Sequence, residues 1–506
     1  MRLGMKQNSY MKGQITRKVQ VRNNRFLGKL KRDQIARQLL LADGYVLPQG
    51  MKTAIGNFRR YFFSAAVFAA ALWCFPAPIL KAQVYMLTKL HDFAVASPGN
   101  PVGMNPYDIP IQIGNELWFT TENGGTTGFG TLSSFDLGTN TINTRLNTMN
   151  IATGNTPQSR FLQDGNNLYY TTSRGGTGDR GTLNVYNMST NTNTVLHNSP
   201  SNTPSTNLYG YHSNVVRVGD NLYWMARNGG PLGVQGGAIM RYNLSTSTVT
   251  TAHVFNSVPG GRFPFHGLTA VGNMLYFTTF TGGQIGTGSP NGAGTLCSFD
   301  TTTNTFTTLA QMPLGGGDRL PAHNPIYDSI TNSLYFTTVG TSANPGAIMK
   351  YDLTLSALTT LHQFSTSPGF PEGRFAYSQP VLYNGSLYFT TIQGGANAGA
   401  PNPTAGAGTI NRFDLVTNTF SVLFDLGFDG VNHWGHEARG GFLLGTYNGQ
   451  DALFLLTRSG GANGRGTLLV MQIIPEPGTA ALAVLLIVAG ALLIGRHSFL
   501  KMEKSK

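Results

Sequence analysis

Arginine and histidine recur together in this chain at a fixed spacing. An arginine precedes a histidine by four residues in GGRFPFHG (260–267) and in GDRLPAHN (317–324), and EGRFAYSQ (372–379) has serine in place of the histidine. Guanidinium groups bind carboxylates, and neutral imidazoles form hydrogen bonds or bind metal ions. The spacing predicts a polar pocket for a glycan, a carboxylate or a metal. Its candidate residues, with two histidines from similar places elsewhere in the chain, are Arg262, His266, Arg319, His323, Arg374, His212 and His436.

The same residues also have a purely structural interpretation, in which they hydrogen-bond the loop carbonyls of a neighbouring repeat. A metal site is the weaker alternative, because only His433 and His436 stand at a ligand-like spacing. The sequence contains no phosphate-binding glycine loop followed by Lys-Ser/Thr, no Gly-x-Ser-x-Gly and no Asp-x-Asp-x-Asp-Gly calcium loop. We therefore predict no catalytic residue, no metal and no cofactor.

The candidate residues lie between copies of a recurring phrase, in which a leucine and aromatic residues are followed by Thr-Thr. A Gly-Gly pair starts seven residues after the leucine in six copies, and a Gly, a small residue and Leu or Ile follow in all seven. A period of this size is typical of a propeller or another repeat array. The seven copies, 51 to 66 residues apart, begin at Leu117, Leu168, Leu222, Leu275, Leu334, Leu387 and Leu453.

Each copy predicts four short strands, which we label a to d. In the fourth copy they are GLTAV (267–271), LYFTT (275–279), GTLCSFD (294–300) and TFTTL (305–309). Aromatic and β-branched residues favour strands, and Asp or Asn begins the c–d turns because its side chain caps nearby backbone N–H groups. The chain is therefore predicted to be all-β.

Seven four-stranded units predict a seven-bladed β-propeller. The seventh copy ends at GTLLVMQII (466–474) and has no strand d, whereas YMLTKLHDF (85–93) precedes the first strand a and resembles the strand d in LTTLHQF (358–364). We therefore expect the N-terminal strand to complete the last blade. A β-solenoid and two sandwiches are the alternative architectures.

The topology predicts where the unusual loops lie. If strand a starts at one face, the b–c loops and the d–a connections share that face. The longest b–c loops, 282–294 and 394–408, then lie on the same face as the arginine and histidine connections. Loops on a rigid scaffold commonly carry binding sites.

The N-terminal 82 residues are expected to lie outside the propeller, which we place at 83–474. In residues 51–82, Lys52, Arg59 and Arg60 precede an apolar run and then small residues ending at Ala82, which is the order of a secretory signal peptide. A membrane anchor is the alternative. Residues 1–50 form a basic leader, and we expect translation to start at Met51.

The C-terminal segment 475–506 has three parts in a characteristic order. Pro475-Glu476-Pro477 precedes an uncharged run, 478–495, which is about long enough to cross a bilayer, and basic residues beginning with Arg496 follow. This segment resembles the PEP-CTERM sorting signal of Gram-negative bacteria, although Arg496 is the only arginine of its basic cluster. The resemblance implies an exosortase and the Sec machinery as partners, with transient anchoring in the inner membrane through the C-terminal helix before processing.

Charge and cysteine content restrict the function further. The formal net charge is +13, but residues 83–495 hold 16 Lys and Arg against 19 Asp and Glu. The propeller region thus has no basic excess, and we predict no nucleic-acid binding. Cys74 lies in the predicted signal peptide, so Cys297 would be the single cysteine of the mature chain and is expected to be a buried, inert thiol.

The aromatic-Thr-Thr, Gly-Gly and Gly-Thr landmarks resemble the GloVer tandem repeats of bacterial exported proteins over roughly 84–474. That resemblance implies a secreted protein of the cell surface or extracellular matrix. We expect a non-catalytic propeller that binds polysaccharide or a surface protein. The alternatives are an enzyme, a lyase or hydrolase acting on polysaccharide through the arginine and histidine residues, and a structural matrix component.

Overall fold

The computed structural model describes residues 83–95, 102–147, 149–199, 208–230, 236–256, 258–286, 291–314, 317–397 and 406–474. The leader, the signal peptide and the sorting segment predicted for 1–82 and 475–506 lie outside these ranges. All regular elements of the described residues are strands. In chain order they are β1 (Val84–Asp92), β2 (Gly103–Pro106), β3 (Ile111–Ile113), β4 (Glu116–Gly124), β5 (Thr131–Asp136), β6 (Thr141–Leu146), β7 (Asn155–Pro157), β8 (Leu162–Asp164), β9 (Asn167–Arg174), β10 (Thr182–Asn187), β11 (Thr192–Asn198), β12 (Val216–Val218), β13 (Asn221–Ala226), β14 (Ala238–Asn243), β15 (Thr248–Val254), β16 (Thr269–Val271), β17 (Met274–Thr279), β18 (Thr295–Asp300), β19 (Thr305–Gln311), β20 (Ile326–Asp328), β21 (Ser333–Thr338), β22 (Ala347–Asp352), β23 (Ala357–Gln363), β24 (Val381–Tyr383), β25 (Ser386–Thr390), β26 (Thr409–Asp414), β27 (Thr419–Asp425), β28 (Phe442–Tyr447), β29 (Gln450–Thr457) and β30 (Thr467–Ile474).

The strands form seven antiparallel sheets, each with the predicted order a-b-c-d. Blades 1 to 6 are β3–β6, β8–β11, β12–β15, β16–β19, β20–β23 and β24–β27, and blade 7 is β28, β29, β30 and β1. The short a strands contact their counterparts in neighbouring blades, for example β12 with β16 and β24 with β28. The a strands therefore lie innermost, around the central axis.

Seven hydrophobic clusters hold the blades together, one at each contact between neighbouring blades. The cluster between blades 7 and 1 unites Phe93 and Phe454 with Leu117, Phe119 and Phe135. Every blade thus buries apolar side chains against two neighbours, which is the main driving force for assembly of the ring. The seven-bladed propeller is confirmed, and the solenoid and sandwich alternatives are excluded.

Strand β1 closes the ring as predicted. It pairs with β30 from Val84↔Ile474 to Asp92↔Thr467, with a bulge between Lys89 and His91. The c–d pairs of the other six blades have a register shift at the equivalent position. Because β1 reproduces this irregularity, it is strand d of blade 7 rather than an added edge strand.

Two sheets have a fifth strand that the sequence did not predict. In blades 1 and 2 the d–a connection pairs with the end of strand b, as β2 with β4 and β7 with β9. The other blades make the same contact as a single bridge, for example Arg262↔Thr281 and Arg374↔Gln393. Glycine at the start of a b–c loop permits this approach, since a Cβ on Gly175, at φ +84°, would lie 2.5 Å from Gly154 Cα.

The turn residues act as predicted. Asp136 Oδ1 accepts hydrogen bonds from the backbone N–H groups of Gly138 and Thr139 at 2.7 and 3.0 Å, and Asp300 does the same for Thr302 and Thr303. These caps fix the c–d hairpins and keep the acidic side chains at exposed turns.

The Thr-Thr of the repeated phrase joins strands and blades. The second threonine pairs with a threonine on strand c, as Thr172 Oγ1 does with Thr182 Oγ1 at 2.7 Å. The first threonine reaches the next blade, where Thr278 Oγ1 donates to the His323 carbonyl at 2.8 Å and Thr337 Oγ1 to that of Ser378 at 3.0 Å. The phrase thus holds each d–a connection in place.

Cys297 is fully buried in the cluster between blades 3 and 4. Burial raises the pKa of its thiol to about 12, so the thiolate is scarce at neutral pH. The described residues contain no helix that could cross a membrane.

Candidate functional site

The d–a connections and the b–c loops meet on one face of the ring, which we call the loop face. In each blade the connection bonds to the residues that leave strand b, either as β2 and β7 do or through bridges such as Pro321↔Thr338 and His436↔Ser459. This confirms the predicted sharing of one face. The two longest b–c loops are described only in part, at 282–286 with 291–294 and at 394–397 with 406–408.

The inner ends of the connections surround the central axis and form what we call the channel mouth. Three residues before each a strand, the seven blades place one residue at an equivalent position. All seven ring positions hold polar or charged residues, namely Asp108, Ser159, Ser213, His266, His323, Ser378 and Arg439.

Two of the predicted histidines stack on each other at the channel mouth. The rings of His266 and His323 are 4.6 Å apart and 2° from parallel, and the two residues are only 3% and 4% exposed. Burial holds the pKa of His266 well below its usual value and lowers that of His323 to about 3. Both imidazoles are therefore neutral at physiological pH.

The nitrogens of these rings are largely unpartnered. His323 Nδ1 lies 2.7 Å from Asn324 Oδ1, whereas His323 Nε2 and both nitrogens of His266 have no hydrogen-bond partner among the described residues. A buried polar atom without a partner costs free energy, so native structures seldom contain one without a cause. A ligand or a water molecule that hydrogen-bonds these nitrogens would remove the cost.

Of the other two predicted histidines, His212 borders the mouth, whereas His436 lies near the start of its connection, at the place that Arg262 and Arg374 take in their blades. The ring of His212 stacks on Phe265 at 6.3 Å, and burial with the nearby Arg227 lowers its pKa to about 3. His436 is half-buried and bridges to Ser459 through its backbone, and burial lowers its pKa. His433, its possible metal partner, stacks on Phe428 at 4.3 Å instead.

The arginines of the predicted pairs make contacts of their own, near the start of each connection. Arg374 donates from Nε to Gln393 Oε1 at 3.0 Å and lies 4.3 Å over the Phe370 ring. Arg319 donates to the Leu314 carbonyl at 3.3 Å, and Arg262 lies 5.2 Å over Phe263.

Ser378, the serine counterpart of the two histidines, is bonded to the backbone of Thr390 in both directions. These contacts occupy the arginines and Ser378 within their own connection or blade, and they are not the bonds to loop carbonyls of a neighbouring repeat that the structural interpretation expected. The charged neighbours of the histidines are not the arginines that precede them by four residues in the sequence.

Arg227 and Arg439 are the arginines whose charges act on His266. The guanidinium carbon of Arg227 lies 4.1 Å from the centre of the Phe265 ring, and that of Arg439 lies 5.4 Å from Tyr377. Arg439 has Glu437 at 3.6 Å, whereas Arg227 has no carboxylate partner among the described residues. Arg227 is therefore a half-buried cation stacked on an aromatic ring, with its charge uncompensated.

A network of paired charges borders the mouth between blades 7 and 1. Arg458 Nε contacts the buried carboxylate of Glu122 at 2.7 Å, and its Nη1 contacts Glu437 at 2.9 Å. On the blade 2 side, Asp108 accepts hydrogen bonds from the backbone N–H groups of Ile109 and Arg160 at 2.7 and 2.8 Å, and burial raises its pKa to about 6. These carboxylates are engaged within the protein, so they leave the charge of Arg227 unopposed.

Sequence reasoning missed the charged residues that leave strand b. Glu122, Arg227 and Arg458 each follow the aromatic phrase directly, where the other four copies have Ser173, Phe280, Val339 and Ile392. A charged residue at a position that is apolar in three other copies of the repeat is a signal that could have been found in the sequence. Of these three residues, Arg227 has no carboxylate partner among the described residues, and together with the histidines it can bind an anionic group with hydroxyl substituents. No cluster of three potential metal ligands occurs in the described part of the chain.

Comparison with known proteins identifies the repeat over part of the chain. Residues 81–290 match the Gloeobacter/Verrucomicrobia repeat, which confirms the predicted repeat resemblance over that part of the chain. No curated protein matches the sequence.

Three solved structures illustrate the likeness in fold. An oligogalacturonate lyase in complex with manganese is 12% identical, with a TM-score of 0.48 over 78% of this chain and 94% of that one. A europium-containing methanol dehydrogenase is 11% identical, with a TM-score of 0.47 over 76% and 93%. An oligogalacturonate lyase from Vibrio parahaemolyticus is 8% identical, with a TM-score of 0.43 over 78% and 97%. At these values the likeness says nothing of this chain's activity.

Proposed function

We propose that this chain is an exported, non-catalytic propeller that binds acidic polysaccharide at the channel mouth. The observation that carries the proposal is Arg227, a cation without a carboxylate partner that lies over Phe265 beside neutral imidazoles. A guanidinium group in this setting suits a carboxylate of the ligand. The neutral imidazoles suit its hydroxyl groups, as do Tyr107 and Tyr377, which lie near enough to interact with the charge of Arg227.

The test compares two arginines of blade 3 in the full-length protein. Arg227→Ala removes the proposed anion contact, whereas Arg241→Ala removes an exposed guanidinium that donates to Thr250 at 3.0 Å and changes the net charge equally. Because a hydrogen bond to a charged group contributes about 1.5–3 kcal/mol, Arg227→Ala is expected to weaken alginate binding by about 10-fold to 150-fold. Calorimetric titration with alginate measures this. Equal affinities of the two variants, or no binding of alginate by the unaltered protein, would refute the proposal.

The enzyme alternative rests on the same histidines. A neutral imidazole with an unpartnered nitrogen can accept a proton, as His266 and His323 could. Neither ring has a carboxylate partner among the described residues that would stabilise its protonated form, and this favours binding over turnover. Release of new sugar ends from alginate by the unaltered protein, lost in His266→Ala, would instead support a polysaccharide lyase or hydrolase.

The cellular part of the proposal is supported by the sequence alone. The signal peptide at 51–82 and the Pro-Glu-Pro segment at 475–477 support export through Sec, sorting by an exosortase and display at the cell surface or in the extracellular matrix. Replacing Pro475, Glu476 and Pro477 by alanine in the native host is expected to change both the mature mass and the location. An unchanged mass and location would contradict the sorting proposal.

A further inference from the structure

A second candidate site lies on the loop face away from the axis, beside strand d of blade 6, where the b–c loop of that blade meets the connections before and after it. An open groove of about 880 Å³ is walled by apolar residues, with a few polar groups among them. We call it the outer groove. The residues that matter here are Pro371, Asn397, Val422, Asp425, Asp429 and Trp434.

The indole of Trp434 is fixed within this groove. Its Nε1 donates to Asp429 Oδ2 at 2.8 Å, and Asp429 Oδ1 accepts from the backbone N–H groups of Val431 and Asn432 at 2.9 and 2.6 Å. These bonds hold the pKa of Asp429 well below its usual range. The indole packs against the core between blades 6 and 7 and remains half-buried, and no other aromatic ring of the described residues stacks on it.

Asp425 is the polar group that the fold leaves unused. Its counterpart in blade 7 is Asp92, since Asp425 pairs with Thr409 and Asp92 with the equivalent Thr467. The Asp92 carboxylate contacts Lys89 Nζ at 2.7 Å and accepts from the Ala462 N–H at 2.9 Å. The Asp425 carboxylate has no such partner among the described residues.

One residue accounts for much of the difference between the two blades. Lys89 lies three residues before Asp92, and Val422 occupies the same place before Asp425. The valine removes the cation that would neutralise the carboxylate and adds a 37% exposed apolar side chain to the groove. Asn397, which also lines the groove, donates from Nδ2 to the Asp425 backbone carbonyl at 2.9 Å and not to its carboxylate.

We propose that the outer groove binds a pyranose ring of a neutral polysaccharide. The apolar face of the sugar would pack on Trp434, and its hydroxyl groups would donate to the Asp425 carboxylate. Pockets with apolar walls and a few placed polar groups suit such ligands, and a carboxylate forms strong hydrogen bonds with hydroxyl donors. An ammonium group would also satisfy Asp425, but Trp434 and Phe424 are the aromatic residues of the lining and the other apolar walls are aliphatic, such as Pro371, which does not make a cage of aromatic rings.

This inference extends the proposed binding function to a second site and rests on it only in taking the ligand to be a polysaccharide. The two sites are separable because Arg227 does not line the groove. Arg227→Ala should weaken binding of alginate and leave that of a neutral oligosaccharide unchanged.

The experiment titrates the full-length protein with cellohexaose and, separately, with a chitosan hexamer. Trp434→Ala is expected to weaken cellohexaose binding at least tenfold. Val422→Lys should do the same without lowering the melting temperature, because it restores the lysine–aspartate pair of blade 7. The matched control is Phe428→Ala, which removes a 42% exposed aromatic ring from the same connection outside the groove and should bind as the unaltered protein does.

Three outcomes would overturn the proposal. The first is that the unaltered protein does not bind cellohexaose, and the second is that Trp434→Ala and Val422→Lys both bind it with unchanged affinity. The third is that the unaltered protein binds the chitosan hexamer more tightly than cellohexaose, which would identify an amine as the ligand. If the unaltered protein bound cellohexaose but not alginate, the channel-mouth proposal would be refuted and the outer-groove proposal would stand.

Discussion

Replacing Phe93 by alanine should destabilise the whole propeller. Phe93 directly follows β1 at the N-terminal edge of the described domain, yet it is fully buried, and its ring contacts Phe119 of blade 1 edge-on at 5.6 Å. Truncating a buried phenylalanine costs about 3–5 kcal/mol. Over the roughly 390 residues from 83 to 474, an unfolding entropy of about 2.1 cal/mol/K per residue gives roughly 0.8 kcal/mol/K. The melting temperature should therefore fall by about 4–6 °C.

Two further variants make this test specific for ring closure. Phe255 holds the equivalent place in blade 3, is 2% exposed and contacts Phe277 edge-on at 5.7 Å, so Phe255→Ala should cost as much as Phe93→Ala. Val84, on β1 but 54% exposed, should cost less than about 0.5 kcal/mol when replaced by alanine. Thermal melts and guanidinium titrations of the full-length protein measure all three. If Phe93→Ala behaved like Val84→Ala, β1 would not close the ring in solution.

Three other predictions concern single side chains. Cys297 should resist alkylation by iodoacetamide in the folded protein and react once the protein is denatured, because burial raises its pKa to about 12; modification under native conditions would contradict its buried position. The pKa of His323 is about 3 in the folded protein, below its unfolded value, so the stability it contributes is present above about pH 6.5 and is lost as pH falls towards 3. The buried His323 should therefore lower the free energy of unfolding by about 2 kcal/mol between pH 7 and pH 5. Asp108, with a raised pKa of about 6, acts in the opposite direction. The test therefore compares how much unfolding free energy His323→Asn and the unaltered protein lose between pH 7 and pH 5, and the variant should lose less. Equal losses would refute the assignment to His323. Thr172→Val leaves its partner threonine on strand c without this hydroxyl and should lower the free energy of unfolding by about 1–3 kcal/mol, measured by guanidinium titration. The control is Thr190→Val, in an exposed turn. An equal loss in the two variants would contradict the role assigned to the threonine pair.

The sequence predicted the fold because the repeat determines strand order and register together. Each blade must contact two copies of itself, so the aromatic phrase, the Gly-Gly pair and the Asp or Asn turn recur in step. The missing strand d of the seventh copy and the spare strand at 85–93 then specified closure. The fifth strand of blades 1 and 2 was not predicted, because β2 and β7 pair through connections whose sequences differ between blades.

The channel mouth was only partly predictable. The histidines His266 and His323 could be placed near the axis from topology alone, but their stacking depends on how two connections approach each other. Fixed sequence spacing suggested Arg262 and Arg319 as their partners, whereas partners across an axis come from other blades. Arg227 acts on His266 from blade 3, and no spacing within one connection could have indicated it.

The outer groove depends on a difference between two blades rather than on a motif. Asp92 and Asp425 are the same residue type at the same place on strand d, and the residue three positions earlier, Lys89 or Val422, accounts for much of the difference between a neutralised carboxylate and an available one. That comparison requires knowing that β1 is the strand d of blade 7, which sequence order hides by placing it before blade 1. In a closed repeat protein, candidate sites are therefore found by aligning blades in space and asking where one copy lacks a contact that another copy makes.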